Sequence, residues 1–260
     1  MKITLYQVDA FADAVFKGNP AAVCPLDEWL DDDLLQSIAS ENNLSETAFF
    51  VAKDGAYGLR WFTPAAEVDL CGHATLATAH VVFEHVERKS SDVHFDTRSG
   101  RLSVARGADG LLAMDFPAQP GSEIAVGENM IQALGAEPSH VYGGVDFMAV
   151  FERESQIRGI EPDFVALKEF ERRGVIITAP GEDVDFVSRF FAPKYDIPED
   201  PVTGSAHCML TPYWAERLGK NEMKARQISA RGGDLICTLN GARVGISGRA
   251  CEFMKGEITF

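Results

Sequence analysis

The sequence predicts an α+β protein of two like lobes, each a mainly antiparallel sheet curled around its own central helix. Three pairs of matching segments predict it. "RWFTP" begins at Arg60 and "RFFAP" at Arg189, about half the chain apart. "CGHATLATAHVVFEHV" from Cys71 matches "TGSAHCMLTPYWAERL" from Thr203, with Gly72 opposite Gly204. "SGRLSVAR" from Ser99 matches "GGDLICTL" from Gly232. The offsets agree to within a few residues and the order is kept, which marks an internal duplication with small loop insertions.

Each repeat unit begins with a β-type run, "TAFFVAK" from Thr47 and "GVIITAP" from Gly174. Further strand patterning lies in 93–104, 110–116, 228–239 and 243–246. "ATLATAHVVF" is apolar on nearly every side, so that helix belongs at the centre of its sheet. Apolar residues at helical spacing predict surface helices near 27–40 and 161–172. Pro212 falls where the second central helix should continue, and a kink is expected there.

Composition excludes several classes of function. A net charge of −15 disfavours nucleic acid and anionic membranes as partners. No apolar run is long enough to span a bilayer, and "MKITLYQVDAF" does not have the pattern of a signal peptide. The five cysteines, Cys24, Cys71, Cys208, Cys237 and Cys251, are scattered and form no CxxC pair, which fits reduced thiols in the cytoplasm. Without HExxH or paired CxxC no metal is expected, although Cys71, His73, His80, His207 and Cys208 invite the thought. Without GxGxxG or a Walker loop no nucleotide cofactor is expected.

The chemistry is expected at the two helix starts, Gly72-His73 and Gly204-Ser205. Free backbone N–H groups and a partial positive charge there suit a carboxylate or an enolate-like oxygen, and glycine lets a ligand approach the backbone. Facing starts would clamp a small acid from both sides. The plainer reading is that these glycines only permit tight turns. Asp200 precedes Pro201, which favours an extended backbone. It reads equally as a group aimed at a ligand or as a turn or cap residue. From the residues alone Glu46, at the start of a strand, reads as a surface or capping acid.

"VDAFADAVFKGNPAAV", "NLSETAFF", "RWFTPAAEVDLCGHATLATAH", "DPVTGSAHCMLTPYWAERLGK" and "ISARGGDL" together resemble the phenazine-biosynthesis-like (PhzF) isomerase family over nearly the whole chain. The resemblance implies the diaminopimelate epimerase-like fold, with lobes 1–114, completed by a C-terminal strand within 249–260, and 115–248. It implies a cofactor-independent isomerase that moves a proton between carbons of a small carboxylate-bearing metabolite. Glu46 of the "SET" motif would be the proton donor and acceptor, tuned by partial burial. His73 would be a hydrogen-bond partner kept neutral by the helix start. Asp200 would assist the relay. Gly72, Gly204 and Ser205 would hold the substrate, and Asn19 would line the site. The resemblance also points to a homodimer.

Epimerases of this fold use a cysteine at each helix start, whereas this chain has Cys71 at one and Thr203 at the other. Cys71 reads as a spectator, a packing thiol or a residual acid. The alternative functions are a racemase or epimerase acting next to a carboxylate, and a non-catalytic small-molecule-binding protein.

Overall fold

The computed structural model describes residues 1–260. The chain forms two compact units, one of Met1–Asp115 with Ser247–Phe260, the other of Phe116–Ile246.

In the first unit the order is β1 (Lys2–Ala10), β2 (Asn19–Leu26), α1 (Asp32–Asn42), β3 (Glu46–Lys53), β4 (Ala56–Phe62), β5 (Glu67–Val68), α2 (Gly72–Val81), β6 (Asp92–Thr97), β7 (Gly100–Arg106) and β8 (Leu112–Pro117). Its strands pair side by side in the sequence β1, β2, β3, β4, β6, β7, β8; only β2–β3 and β4–β6 are parallel. These are the two places where a helix intervenes, since a parallel return needs a crossover.

The second unit repeats the plan. It contains β9 (Ser122–Ile124), α3 (Glu128–Leu134), β10 (His140–Gly143), β11 (Phe147–Val150), α4 (Glu154–Arg158), α5 (Phe164–Lys168), β12 (Val175–Pro180), β13 (Phe186–Ala192), β14 (Ile197–Asp200), α6 (Gly204–Leu218), β15 (Glu222–Gln227), β16 (Gly233–Asn240) and β17 (Arg243–Gly248). Again the parallel pairs, β11–β12 and β13–β15, span the helical crossovers. The chain ends in β18 (Ala250–Thr259), which pairs antiparallel with β1 through a bulge at Gln7/Val8.

The repeated motif owes its sequence to one packing solution used twice. Arg60 forks onto Glu67 through Nε and Nη2, both at 2.7 Å, and its guanidinium lies 5.1 Å from the Phe62 ring. Arg189 forks onto Glu199 at 2.8 and 3.0 Å and lies 5.0 Å from the Phe191 ring. Each arginine ties a sheet strand, β4 or β13, to the short strand hydrogen-bonded to it. Opposite these arginines stand Phe49 and Ile177, which puts β3 and β12 in the same register within their lobes.

Both faces of the first sheet are covered. Helix α2 packs against β1, β2, β3 and β18, and all of its residues from His73 to Ala79 are buried. The opposite face carries α1, whose Leu35, Ile38 and Ala39 meet Ile3, Leu5, Ala22, Cys24 and Phe49. In the second unit α3, α4 and α5 supply Met130, Leu134, Ile157 and Leu167 to a core with Val141, Phe151, Val175 and Phe191.

Three sequence expectations change. The helix expected over 161–172 is only Phe164–Lys168, capped by Asp163, whose Oδ1 accepts from the N–H of Val165 at 2.9 Å. The one expected over 27–40 begins at Asp32. The strand expected from 228 begins at Gly233, because Ile228–Gly232 is a turn in which Ser229 Oγ donates to the Pro201 carbonyl at 2.8 Å. Helix α6 runs unbroken through Pro212. Pro212 has no N–H for the carbonyl four residues back, that of Cys208, and the backbone N–H of Gln119 bonds it instead at 2.9 Å.

Candidate active site

Strand alternation selects which side chains meet the start of α2. On β2 and β3, Ala22, Cys24 and Phe49 face α1, so Asn19, Ala21, Glu46 and Ala48 face the other way, toward α2. Asn19 and Glu46 are the first residues of two neighbouring parallel strands, with Ala21 beside Glu46. The approach to Glu46 is fixed by Asn43, which ends α1 in the left-handed conformation (φ 49°) with its N–H on the Ala39 carbonyl.

Helix α2 begins after Cys71, held extended at φ −142° and ψ 109°. Thr75 Oγ1 donates to the Cys71 carbonyl at 2.6 Å and steadies this first turn. His73 then lies beside both strand starts. Its Nε2 is 3.0 Å from Glu46 Oε2, its Nδ1 is 3.2 Å from the Asn19 side-chain amide, and Cys71 Sγ is 3.6 Å from Nδ1. The Glu46 side chain is 12% exposed and that of His73 7%, so the pair is nearly dry. Glu46 is therefore neither the surface acid nor the cap that its sequence position suggests. The Glu46–His73 contact lies off the axis of a good hydrogen bond, and Oε2 has no aligned donor. A buried carboxylate oxygen in that state keeps an open hydrogen-bond acceptor position.

Burial and two neighbouring side chains act in opposite directions on His73. Burial pulls its pKa down, but the Cys71 sulfur and the Glu46 carboxylate push it up, and the net direction is well above an ordinary histidine. Burial and the Glu46 charge push the Cys71 thiol up to about 11, so at neutral pH the sulfur is uncharged and its upward push on His73 is absent, which leaves burial set against the Glu46 carboxylate. The Asn19 side-chain N–H donates to His73 Nδ1, which places the ring proton on Nε2, toward Glu46.

The second lobe builds a different constellation. Asp200 ends β14, only 8% exposed, and its Oδ2 accepts from Thr203 Oγ1. Thr203 precedes α6 in an extended conformation, as Cys71 precedes α2. Gln227, fully buried at the end of β15, ties the turn together: its Oε1 accepts from the Thr203 N–H at 2.8 Å, and its Nε2 donates to the Asp200 carbonyl at 2.7 Å. His207 Nδ1–H donates to the Thr203 carbonyl at 2.8 Å, the same one-turn bond that Thr75 makes to Cys71. At the helix start Gly204 is buried, and Ser205 Oγ accepts from Arg173 Nη1 at 2.9 Å. Arg173 is itself gripped on two sides by buried Asp146, through Nε at 2.9 Å and Nη2 at 2.5 Å. Because arginine only donates, the Ser205 hydroxyl keeps its own proton for another acceptor.

The structure thus gathers Asn19, Glu46, Gly72 and His73 in the first lobe, with Cys71 among them, and Asp200, Gly204 and Ser205 in the second. Sequence reasoning missed Asp146, Arg173 and Gln227. The doublet before "GVIITAP" and the glutamine closing a strand carry no motif, and only pairing across the fold gives them partners. Replacing Gln227 with leucine strands the Thr203 N–H in a dry site. It is expected to cost about 2 kcal/mol, the price of an unsatisfied buried donor, read by urea denaturation; an unchanged midpoint would show that the turn holds without it.

The ligating atoms of Glu46, Cys71 and His73 lie within 4.8 Å of one another, close enough to hold a metal ion. No helix is long and apolar enough to cross a membrane.

Comparison with known proteins agrees with this picture. The family model described as phenazine biosynthesis-like protein matches residues 8–256. An uncharacterized isomerase of Pseudomonas aeruginosa is 54% identical over 258 residues, 99% of each chain. The crystal structure of a PhzF-family phenazine biosynthesis protein from Enterococcus faecalis is 48% identical, with a TM-score of 0.98 and full coverage of both chains. For the fold alone, a hydroxyproline epimerase of Agrobacterium vitis superposes with a TM-score of 0.63 at 12% identity, over 99% of this chain and 91% of its own. Matched along nearly its whole length, this chain belongs to the phenazine biosynthesis-like (PhzF) family and is an isomerase of that family.

Proposed function

We propose that this isomerase moves a proton between carbons of a small carboxylate-bearing metabolite, with Glu46 as both acceptor and donor and no cofactor. The observation that carries this reading is the buried Glu46 oxygen, 3.0 Å from His73 Nε2 and without an aligned donor. In the first half-reaction the carboxylate takes a C–H proton, and the electron pair left on carbon delocalises into the adjacent π system. In the second, the resulting carboxylic acid returns the proton to a different carbon, so the enzyme ends as it began. His73, oriented by the Asn19 side-chain N–H on its Nδ1, turns Nε2 toward Glu46 and steadies its carboxylate and the anionic charge on the substrate by hydrogen bonding. Gly204 and Ser205 are assigned the substrate carboxylate, through the free N–H groups of the α6 start and the Ser205 hydroxyl. Asp200, bonded to Thr203, is assigned the assisting role in the relay.

Racemisation by two opposed bases is disfavoured by what the duplication leaves out. In strand register Glu46 corresponds to Gly174, where an added Cβ would come within 2.5 Å of the Phe190 ring and 2.8 Å of the Phe191 carbonyl. Cys71 corresponds to Thr203. Neither repeated position supplies a second base.

Heavy water separates the readings. Small unsaturated and α-substituted carboxylates are incubated with the enzyme in D2O and followed by proton NMR, ultraviolet absorption and polarimetry. The shuttle yields a positional isomer with partial deuterium at the newly protonated carbon and a changed ultraviolet spectrum. A racemase places deuterium at the α-carbon with loss of optical activity. Ligands that bind with no deuterium uptake and no isomer formed would instead indicate a binding protein.

A further inference from the structure

Ser205 stands at the α6 start with its hydroxyl oxygen already engaged, because Arg173 Nη1 donates to Oγ at 2.9 Å. We propose that Arg173 is a positioning residue that fixes Ser205 as a donor, and that this makes the α6 start select an ionised carboxylate over a neutral carboxamide of the same shape. The inference rests on the assignment of the substrate carboxylate to Gly204 and Ser205, and extends it to the charge state the site accepts.

The guanidinium is held in one plane. Asp146, whose side chain is 2% exposed, accepts from Nε and Nη2 in a fork at 2.9 and 2.5 Å. The guanidinium carbon lies 5.3 Å from the centre of the Phe190 ring. Gly174, the next residue, lacks the Cβ that would come within 2.5 Å of the same ring, so the chain can enter β12 this close to Phe190. With two of its nitrogens on one carboxylate and a ring against its face, the guanidinium has one orientation, and in it Nη1 meets Ser205.

The consequence follows from donor and acceptor arithmetic. Arginine offers N–H donors and no acceptor, so the Ser205 O–H turned toward Arg173 would set donor against donor. The hydroxyl proton points elsewhere, and the bond that Oγ accepts from a charged group strengthens the O–H as a donor. The backbone N–H groups at the α6 start are donors as well. A site made only of donors satisfies both oxygens of a carboxylate. A carboxamide brings one oxygen and one NH2, and the NH2 meets donors. Without Arg173 the Ser205 hydroxyl is free to turn and accept from that NH2.

The test uses the full-length protein and two probes, crotonate and crotonamide, which differ only in that group. Binding is followed at neutral pH through the backbone amide signals of Gly204 and Ser205 in proton–nitrogen NMR. Wild type is expected to bind crotonate at least about 10-fold more tightly than crotonamide, as one hydrogen bond to a charged group allows. Arg173→Met alone strands the buried Asp146, so Arg173→Met with Asp146→Leu, which replaces the ion pair by apolar side chains, is made beside it. Thermal melting checks that each variant is folded. In the paired variant the preference for crotonate should fall about 10-fold, to near parity. A purely structural ion pair would instead weaken both probes alike and leave their ratio unchanged. Ser205→Ala should also lower the ratio, and adding the paired change to it should lower it no further, because Arg173 acts through Ser205. Near parity in wild type, or a preference that survives the paired variant, overturns the role given to Arg173 and leaves the carboxylate assignment standing. Gly204 and Ser205 signals that move with neither probe in wild type overturn that assignment, and the role of Arg173 with it.

Discussion

Glu46→Gln is expected to reduce turnover by about 10²- to 10⁴-fold, the range that one positioned acid–base group contributes. The substitution keeps the size and hydrogen-bonding ends of the side chain and removes only its ability to take a proton and carry charge. Ligand binding at the α6 start and the melting temperature should change little. A second consequence is local: with the carboxylate gone, its upward push on the His73 pKa is lost, and the titration of the ring should move down. Proton NMR of the His73 ring reads that shift without any substrate. Full turnover in the variant would remove Glu46 from the chemistry, while an unmoved His73 titration would show that the 3.0 Å pair does not govern the ring.

Acid should weaken the fold through His207. Burial lowers its pKa to about 4, only partly opposed by the Thr203 carbonyl that its Nδ1–H bonds. Its Nε2 is buried with no partner, so a second proton has nothing to bond. The unfolded chain takes up that proton below about 6.5, whereas the native state waits until about 4. Between these values the unfolded state binds more protons and stability rises with pH. The stability is whole above 6.5 and is lost as the pH falls toward 4. About 2.5 pH units at about 1.4 kcal/mol each give roughly 3 kcal/mol from this one side chain. Urea denaturation of wild type and His207→Gln at several pH values from 7.5 to 4 isolates it, because the variant should lack this part of the slope. Equal slopes would show that the ring is not the group being titrated.

The site was legible in unequal parts. Helix starts at Gly72 and Gly204 can be read from glycines preceding small-residue runs, and the duplication points to them twice. Glu46 cannot be read from its local sequence. It follows the turn Asn43–Leu44–Ser45 and opens an apolar strand, which equally describes an exposed cap. Apart from the family resemblance, it is singled out because β3 lies parallel to β2 with Ala21 beside it, and strand alternation turns both Asn19 and Glu46 toward α2. What surrounds His73 is hidden for a related reason: a helix start disfavours a cation, and only the fold brings the Glu46 carboxylate within 3.0 Å and Cys71 beside the ring to oppose that preference. Gln227 and Arg173 were invisible because their partners lie at least 24 and 27 residues away, on segments whose pairing no local pattern records.

What the sequence determined by itself is the architecture: two repeats of strands and a central helix, the first helix apolar on nearly every side, a pattern that suits a sheet wrapped around each helix. It also determined the asymmetry of the repeats, with Cys71 and His73 at one helix start and Thr203 and Ser205 at the other. The tertiary structure decided which side chains meet. Hydrophobic patterning needs only the right face of each element, whereas proton transfer and ligand binding depend on distances of about 3 Å between residues far apart in the chain.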